Sequence, residues 1–144
     1  MNLGDAILLA VAEGLKTPKA IVEKLNVKID DVKNVLQDLE ARGLVEKKIK
    51  GLIFKKEVYE LTKAGFERSA RIKEKLRSIA DQLREAYEKG DKTKVEEIVT
   101  SYRYFIPLML GLMDIIWIST LYNYIDDFDI NDVNEIDMDL DVEF

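Results

Sequence analysis

Lys47, Lys48, Lys50, Lys55 and Lys56 fall within ten consecutive residues. Ammonium groups at that density suit the phosphate backbone of a nucleic acid, and binding of that kind weakens steeply with salt. The alternative use is a solvated hairpin whose lysines keep a sheet edge from pairing. Upstream, Lys33, Asn34 and Gln37 lie within one and a half helical turns. Asn and Gln side chains can pair bidentately with adenine and Lys can pair with guanine, so these three are candidate base readers. Arg42 adds a further cation for phosphate. Leu52, Ile53 and Phe54 interrupt the lysines. Three consecutive apolar residues cannot all face one core, which leaves some for a partner or a second subunit.

One feature opposes nucleic acid. Between Asp30 and Arg42 there are four carboxylates, Asp30, Asp31, Asp38 and Glu40, against Lys33 and Arg42. A segment entering a phosphate-lined groove is expected to be basic. The expectation survives if Asp30 or Asp31 caps a helix and Asp38 and Glu40 face away.

Other chemistries are poorly supplied. The 144-residue chain has no cysteine and no histidine. Thiol nucleophiles, thiolate and imidazole metal ligands and Ser-His or Cys-His pairings are therefore absent. No P-loop or dinucleotide-binding glycine pattern occurs. Asp127-x-Asp129-x-Asn131 resembles the start of a calcium loop, but Asp132 replaces the required glycine and Met138 the closing Glu. Neither an enzyme nor a cofactor nor a metal site is expected.

The elements that must position the basic groups follow from periodicity. Ile7, Leu8, Val11 and Leu15 predict a helix from Leu3 to Leu15, ended at Gly14. Thr17-Pro18 reads as a cap and first residue of a short second helix with Ala20, Ile21 and Leu25 inward. A turn over Asn26 to Ile29 leads to a third helix, with Val32, Val35, Leu36 and Leu39 inward and Gly43 at its stop. Lys50-Gly51 is a turn between two β-prone runs, Leu44–Ile49 and Leu52–Leu61, which predicts a hairpin. Thr62 caps a long helix, 63–89, with favourable Glu67/Arg71 and Glu85/Lys89 pairs on its surface.

Three helices followed by a hairpin is the winged helix-turn-helix plan. The run Leu36-x-x-Leu39-x-x-x-Gly43-Leu44-Val45, followed by Tyr59-x-Leu61-Thr62-x-x-Gly65, resembles prokaryotic winged-helix regulators of the MarR, ArsR and PadR type. The opening Ile7 to Gly14 resembles the PadR type. The resemblance covers residues 3 to about 65 and implies a DNA-binding transcriptional regulator. The fold expected is mainly α: a winged domain over residues 1–65, a helical dimerisation region over 66–125, and an acidic tail over 126–144.

Charge also divides the chain, within the expected helical region. Residues 1–104 carry 22 Lys and Arg against 18 Asp and Glu; residues 105–144 carry ten acidic groups and no basic one. Such asymmetry points to nucleic acid, a membrane or a regulatory tail. Ile72, Leu76, Ile79 and Leu83 recur at coiled-coil spacing and predict a homodimer seam, extended by Leu112 and Ile116. Phe105 to Ile125 is an apolar run of 21 residues with Asp114 as its single charge. It is long enough to span a bilayer, though a central Asp costs about 3 kcal/mol there. The alternatives are a buried helix in a dimer core and a membrane-tethered regulator. From Ile136 onward, apolar and acidic residues alternate to Phe144, as in an extended strand with one acidic face. Met1 to Leu15 carries Asp5 and Glu13 and no basic stretch, unlike a secretory signal, so a cytoplasmic protein is expected. The expected partners are duplex DNA and a second copy of the chain. A protein partner, with the winged fold as an adaptor, is the alternative.

Overall fold

A computed structural model describes residues 1–111. It contains helices α1 (Leu3–Ala12), α2 (Pro18–Leu25) and α3 (Ile29–Ala41), strands β1 (Val45–Lys50) and β2 (Lys56–Leu61), and helices α4 (Lys63–Glu88) and α5 (Lys92–Ser101). A 3-10 helix follows over Arg103–Gly111. The chain divides into a first compact unit, Met1–Glu74, and a second that begins at Lys75.

The first unit is mainly helical with a two-stranded antiparallel hairpin after three helices, a winged-helix-like layout. Its core forms because α1 is apolar over almost its whole length and circumference, apart from the capping Asp5, and is covered by its neighbours. Leu3, Ala6 to Val11, and even Gly4 are buried. Helix α1 lies against α2, α3 and β2. Ile21 and Leu25 of α2, and Val32, Val35, Leu36 and Leu39 of α3, complete the interior.

Each boundary has a local cause. Asn2 and Asp5 cap α1 reciprocally, each side chain accepting the other's backbone N–H. The helix ends at Ala12, earlier than its apolar spacing suggests, because Gly14 takes a positive φ of 96° and Leu15 N–H donates back to the Ala10 carbonyl. Thr17 caps α2 by accepting from Ala20 N–H. Asn26, with φ 55°, makes the left-handed turn that redirects the chain from α2 into α3. Gly43, with φ 73°, stops α3 and aims the chain directly into β1.

Strand β2 is also tied to the loop after α1, where Tyr59 N–H donates to the Lys16 carbonyl at 2.8 Å. The Thr62 hydroxyl donates to the Gly43 carbonyl at 2.6 Å and accepts from Gly65 N–H at 3.0 Å. Gly65 must be glycine because a Cβ there would lie 1.9 Å from the Leu44 carbonyl oxygen. The start of α4 thus rests against the joint between α3 and β1. Arg68 pairs with Asp5 at 3.3 Å and Lys73 with Glu13 at 3.6 Å. These contacts carry the first unit beyond residue 65, into the third turn of α4.

In the second unit, Leu76, Ile79, Ala80, Leu83 and Ala86 of α4 are buried, as are Val95, Ile98 and Val99 of α5. Gly90, with φ 72°, separates these helices, and the Asp91 side chain caps α5. Glu85 and Lys89 pair at 2.6 Å. Among the described residues Glu67 and Arg71 make no such pair; Arg68 reaches Asp5 instead. Helix α5 ends at Ser101, and the apolar run then opens as a 3-10 helix. Pro107 lies inside it, and proline lacks the N–H that a continuous α-helix would use there. No described helix is long and apolar enough to cross a membrane.

Candidate nucleic-acid interface

Helix α3 and the hairpin are consecutive elements, joined by Arg42, Gly43 and Leu44. Burying Val32, Val35, Leu36 and Leu39 turns the opposite stripe of α3 outward. That stripe holds Asp30, Lys33, Asn34, Gln37 and Glu40, all exposed. The three candidate base readers therefore share one face. Among the described residues, Lys33 has no carboxylate partner, and the Asn34 and Gln37 side chains make no hydrogen bond.

The acidic residues of α3 do not leave this face as the sequence suggests. The cap position belongs to Lys28, whose side chain makes no capping hydrogen bond. Asp30 and Asp31 instead occupy the first turn, where a carboxylate favours the exposed N–H groups. Glu40 stays on the exposed stripe. Asp38 lies at its edge with Oδ2 2.9 Å from Arg42 Nε, so Arg42 is engaged by its own helix.

In the hairpin, Val45 pairs with Leu61, Lys47 with Tyr59, Lys48 with Val58 and Lys50 with Lys56. Side-chain alternation then puts Lys48, Lys50, Lys56, Val58 and Glu60 on one face and Lys47, Glu57 and Tyr59 on the other. Tyr59 and Val58 are both buried, which anchors the base of the wing on the core. Leu61 is only half-buried.

The five lysines are not equivalent. Glu60 takes Lys50 at 2.6 Å and Lys48 at 2.9 Å, with Lys16 at 3.7 Å. The hydrogen bond from Lys50, and then that from Lys48, hold the Glu60 carboxyl down at about 2. The same bond raises the Lys48 ammonium above its ordinary value. Lys47 lies 3.7 Å from Glu57. Lys55 and Lys56, nearest the tip, have no carboxylate within ion-pair distance among the described residues. Lys56 also directly opposes Lys50, a like-charge pair that an external anion would relieve.

The loop between the strands, residues 51–55, is longer at the tip than a two-residue turn. Gly51, with φ 110°, starts it, and a Cβ there would lie 2.1 Å from the Phe54 carbonyl oxygen. Leu52, Ile53 and Phe54 belong to this loop and not to a strand. They are 100%, 86% and 88% exposed.

The expected dimer seam has a different environment. Ile72, Leu76, Ile79 and Leu83 are already buried within the single chain, so their spacing does not mark an open ridge. Leu112 and Ile116, the remainder of the apolar run, the calcium-like segment at Asp127 and the alternating tail lie outside the described residues.

Sequence reasoning overlooked Glu57, Glu60 and Lys16. Glu60 was accessible from cross-strand register, which brings it beside Lys48. Lys16 was not, because its approach depends on the Tyr59 backbone bond. No protein-family model, curated protein or solved structure matches the chain.

Proposed function

We propose that the first unit binds duplex DNA as the reading head of a winged-helix transcriptional regulator that acts as a homodimer. The observation that carries this reading is the pairing of two surfaces in one chain segment. Lys33, Asn34 and Gln37, without side-chain partners among the described residues, share the outer stripe of α3. The wing that follows ends in Lys55 and Lys56, which have no carboxylate partner among the described residues. In this reading α3 lies in the major groove and the wing holds phosphates beside it. Lys47, Lys48 and Lys50 join the phosphate contacts by exchanging Glu57 and Glu60 for the backbone. That exchange costs little, because exposed ion pairs are weak. Arg42 contributes only if it leaves Asp38. The second copy of the chain rests on the length of the apolar run in the sequence alone, because the seam on α4 and the described start of that run, Phe105, Ile106, Leu108 and Met109, are both covered within the chain.

A protein-binding adaptor is the second reading, favoured by Asp30 and Glu40 on the outer stripe of α3. Titration with random duplex at two salt concentrations separates the readings. Binding that strengthens as salt falls supports the regulator. No duplex binding at low salt refutes it and leaves the adaptor. Light scattering at micromolar concentration should give about twice the chain mass, and a clean monomer would refute the homodimer.

A further inference from the structure

We propose that the wing tip is an apolar wedge that enters an opened base step, so that the protein selects a duplex for its deformability at that point. This rests on the DNA reading above. Leu52, Ile53 and Phe54 are almost wholly exposed at the far end of the hairpin. Lys50 precedes them, and Lys55 and Lys56 follow directly. An apolar point inside a collar of ammonium groups fits a partner that is anionic outside and apolar within. Two such partners exist: a duplex, whose apolar surfaces are the stacked base faces, and an anionic bilayer.

The outer stripe of α3 decides between them. The amides of Asn34 and Gln37 can each pair bidentately with a base edge, a patterned donor and acceptor array that a lipid headgroup plane does not present. The five-residue loop is narrowed by the close approach of Gly51 to Phe54. Apolar side chains that enter the minor groove unstack a step and kink the duplex, and flexible pyrimidine–purine steps yield most readily. Specificity would then be divided: α3 reads edges, and the tip reads how easily a step opens.

The test uses the full chain, the variant L52S/I53S/F54S and the single variant F54S. The substituted side chains are exposed, so both variants keep the folded core. The probes are two duplexes of equal length, one with a central TA step beside 2-aminopurine and one with a rigid A-tract. Dye pairs at the duplex ends report bending. The parent should brighten 2-aminopurine, shorten the end-to-end distance and favour the TA duplex. The triple variant should lose all three effects and bind the TA duplex about tenfold more weakly, with the salt dependence unchanged. F54S should fall between them. Parent-like affinity and bending in the triple variant would overturn the wedge and leave the DNA reading intact. No duplex binding by the parent would overturn both. Tip-dependent attachment of the parent to phosphatidylserine vesicles, with base stacking undisturbed, would make the tip a lipid anchor and overturn the wedge.

Discussion

Helix α3 and the wing are neighbours in sequence and both exposed, yet they carry opposite electrostatics. The outer stripe of α3 sets Lys33 between Asp30 and Glu40 and offers amides at Asn34 and Gln37. The wing sets five lysines against Glu46, Glu57 and Glu60. A surface of the first kind discriminates among partners but is poor at attracting an anion. A surface of the second kind attracts any anion and discriminates little. Under the proposed DNA reading, affinity falls to the hairpin and selectivity to the helix, which would reconcile the acidic residues of α3 with duplex binding.

The largest expected effect comes from reversing the wing. Changing Lys47, Lys48, Lys55 and Lys56 to Glu should abolish binding to every duplex, by at least about 1000-fold at low salt. Parent-like binding would remove the wing from the interface and break the division of roles. Next comes the joint between the two surfaces. Gly65→Ala forces a Cβ toward the Leu44 carbonyl and should destabilise the first unit by about 1–3 kcal/mol, seen as a lower midpoint in urea. An unchanged midpoint would mean that α4 does not fix the α3–β1 corner.

Asn34→Ala and Gln37→Ala should each weaken only a preferred site, by about 1–3 kcal/mol per lost base contact, and leave random duplex unaffected. Equal losses on all sequences would make α3 a second phosphate surface. A smaller gain is expected from Glu60→Gln. Releasing Lys48 and Lys50 should strengthen binding to random duplex several-fold and steepen its salt slope by up to about 2.

The smallest effect is a titration. Glu60 lies near 2 when folded, below its ordinary 4.5. A lowered carboxylate contributes its stability fully above the ordinary value and loses it as pH falls through the folded one. Its stability contribution should therefore be complete at pH 5 and decline between pH 4.5 and about 2, while the clamp in the folded chain opens near pH 2. Carboxyl NMR should show that midpoint for Glu60. In K48A/K50A it should return toward 4.5.

The elements of the first unit were legible in the sequence because their signals are local. Thr17-Pro18, Gly43 and Thr62 each act on the few residues beside them, and each occupies the boundary that its chemistry predicts. Three features were not legible. The apolar tip resembles strand by composition, and only the close of the ladder at Lys50 and Lys56 shows Leu52 to Phe54 to be loop. The spacing of Ile72, Leu76, Ile79 and Leu83 is shared by a dimer seam and by any buried helix face, and these side chains are covered within the chain. The division of the wing lysines into held and unpartnered groups depends on cross-strand reach. A linear count of charges cannot contain it.

The slope of log affinity against log salt for the parent chain on random duplex tests the assignment of affinity to the wing most directly. Contacts from two to five lysines predict a slope between about −2 and −4.5. The shallow end corresponds to Lys55 and Lys56 alone, and the steep end to all five. Absence of binding at low salt, or a slope indistinguishable from zero, would contradict the account.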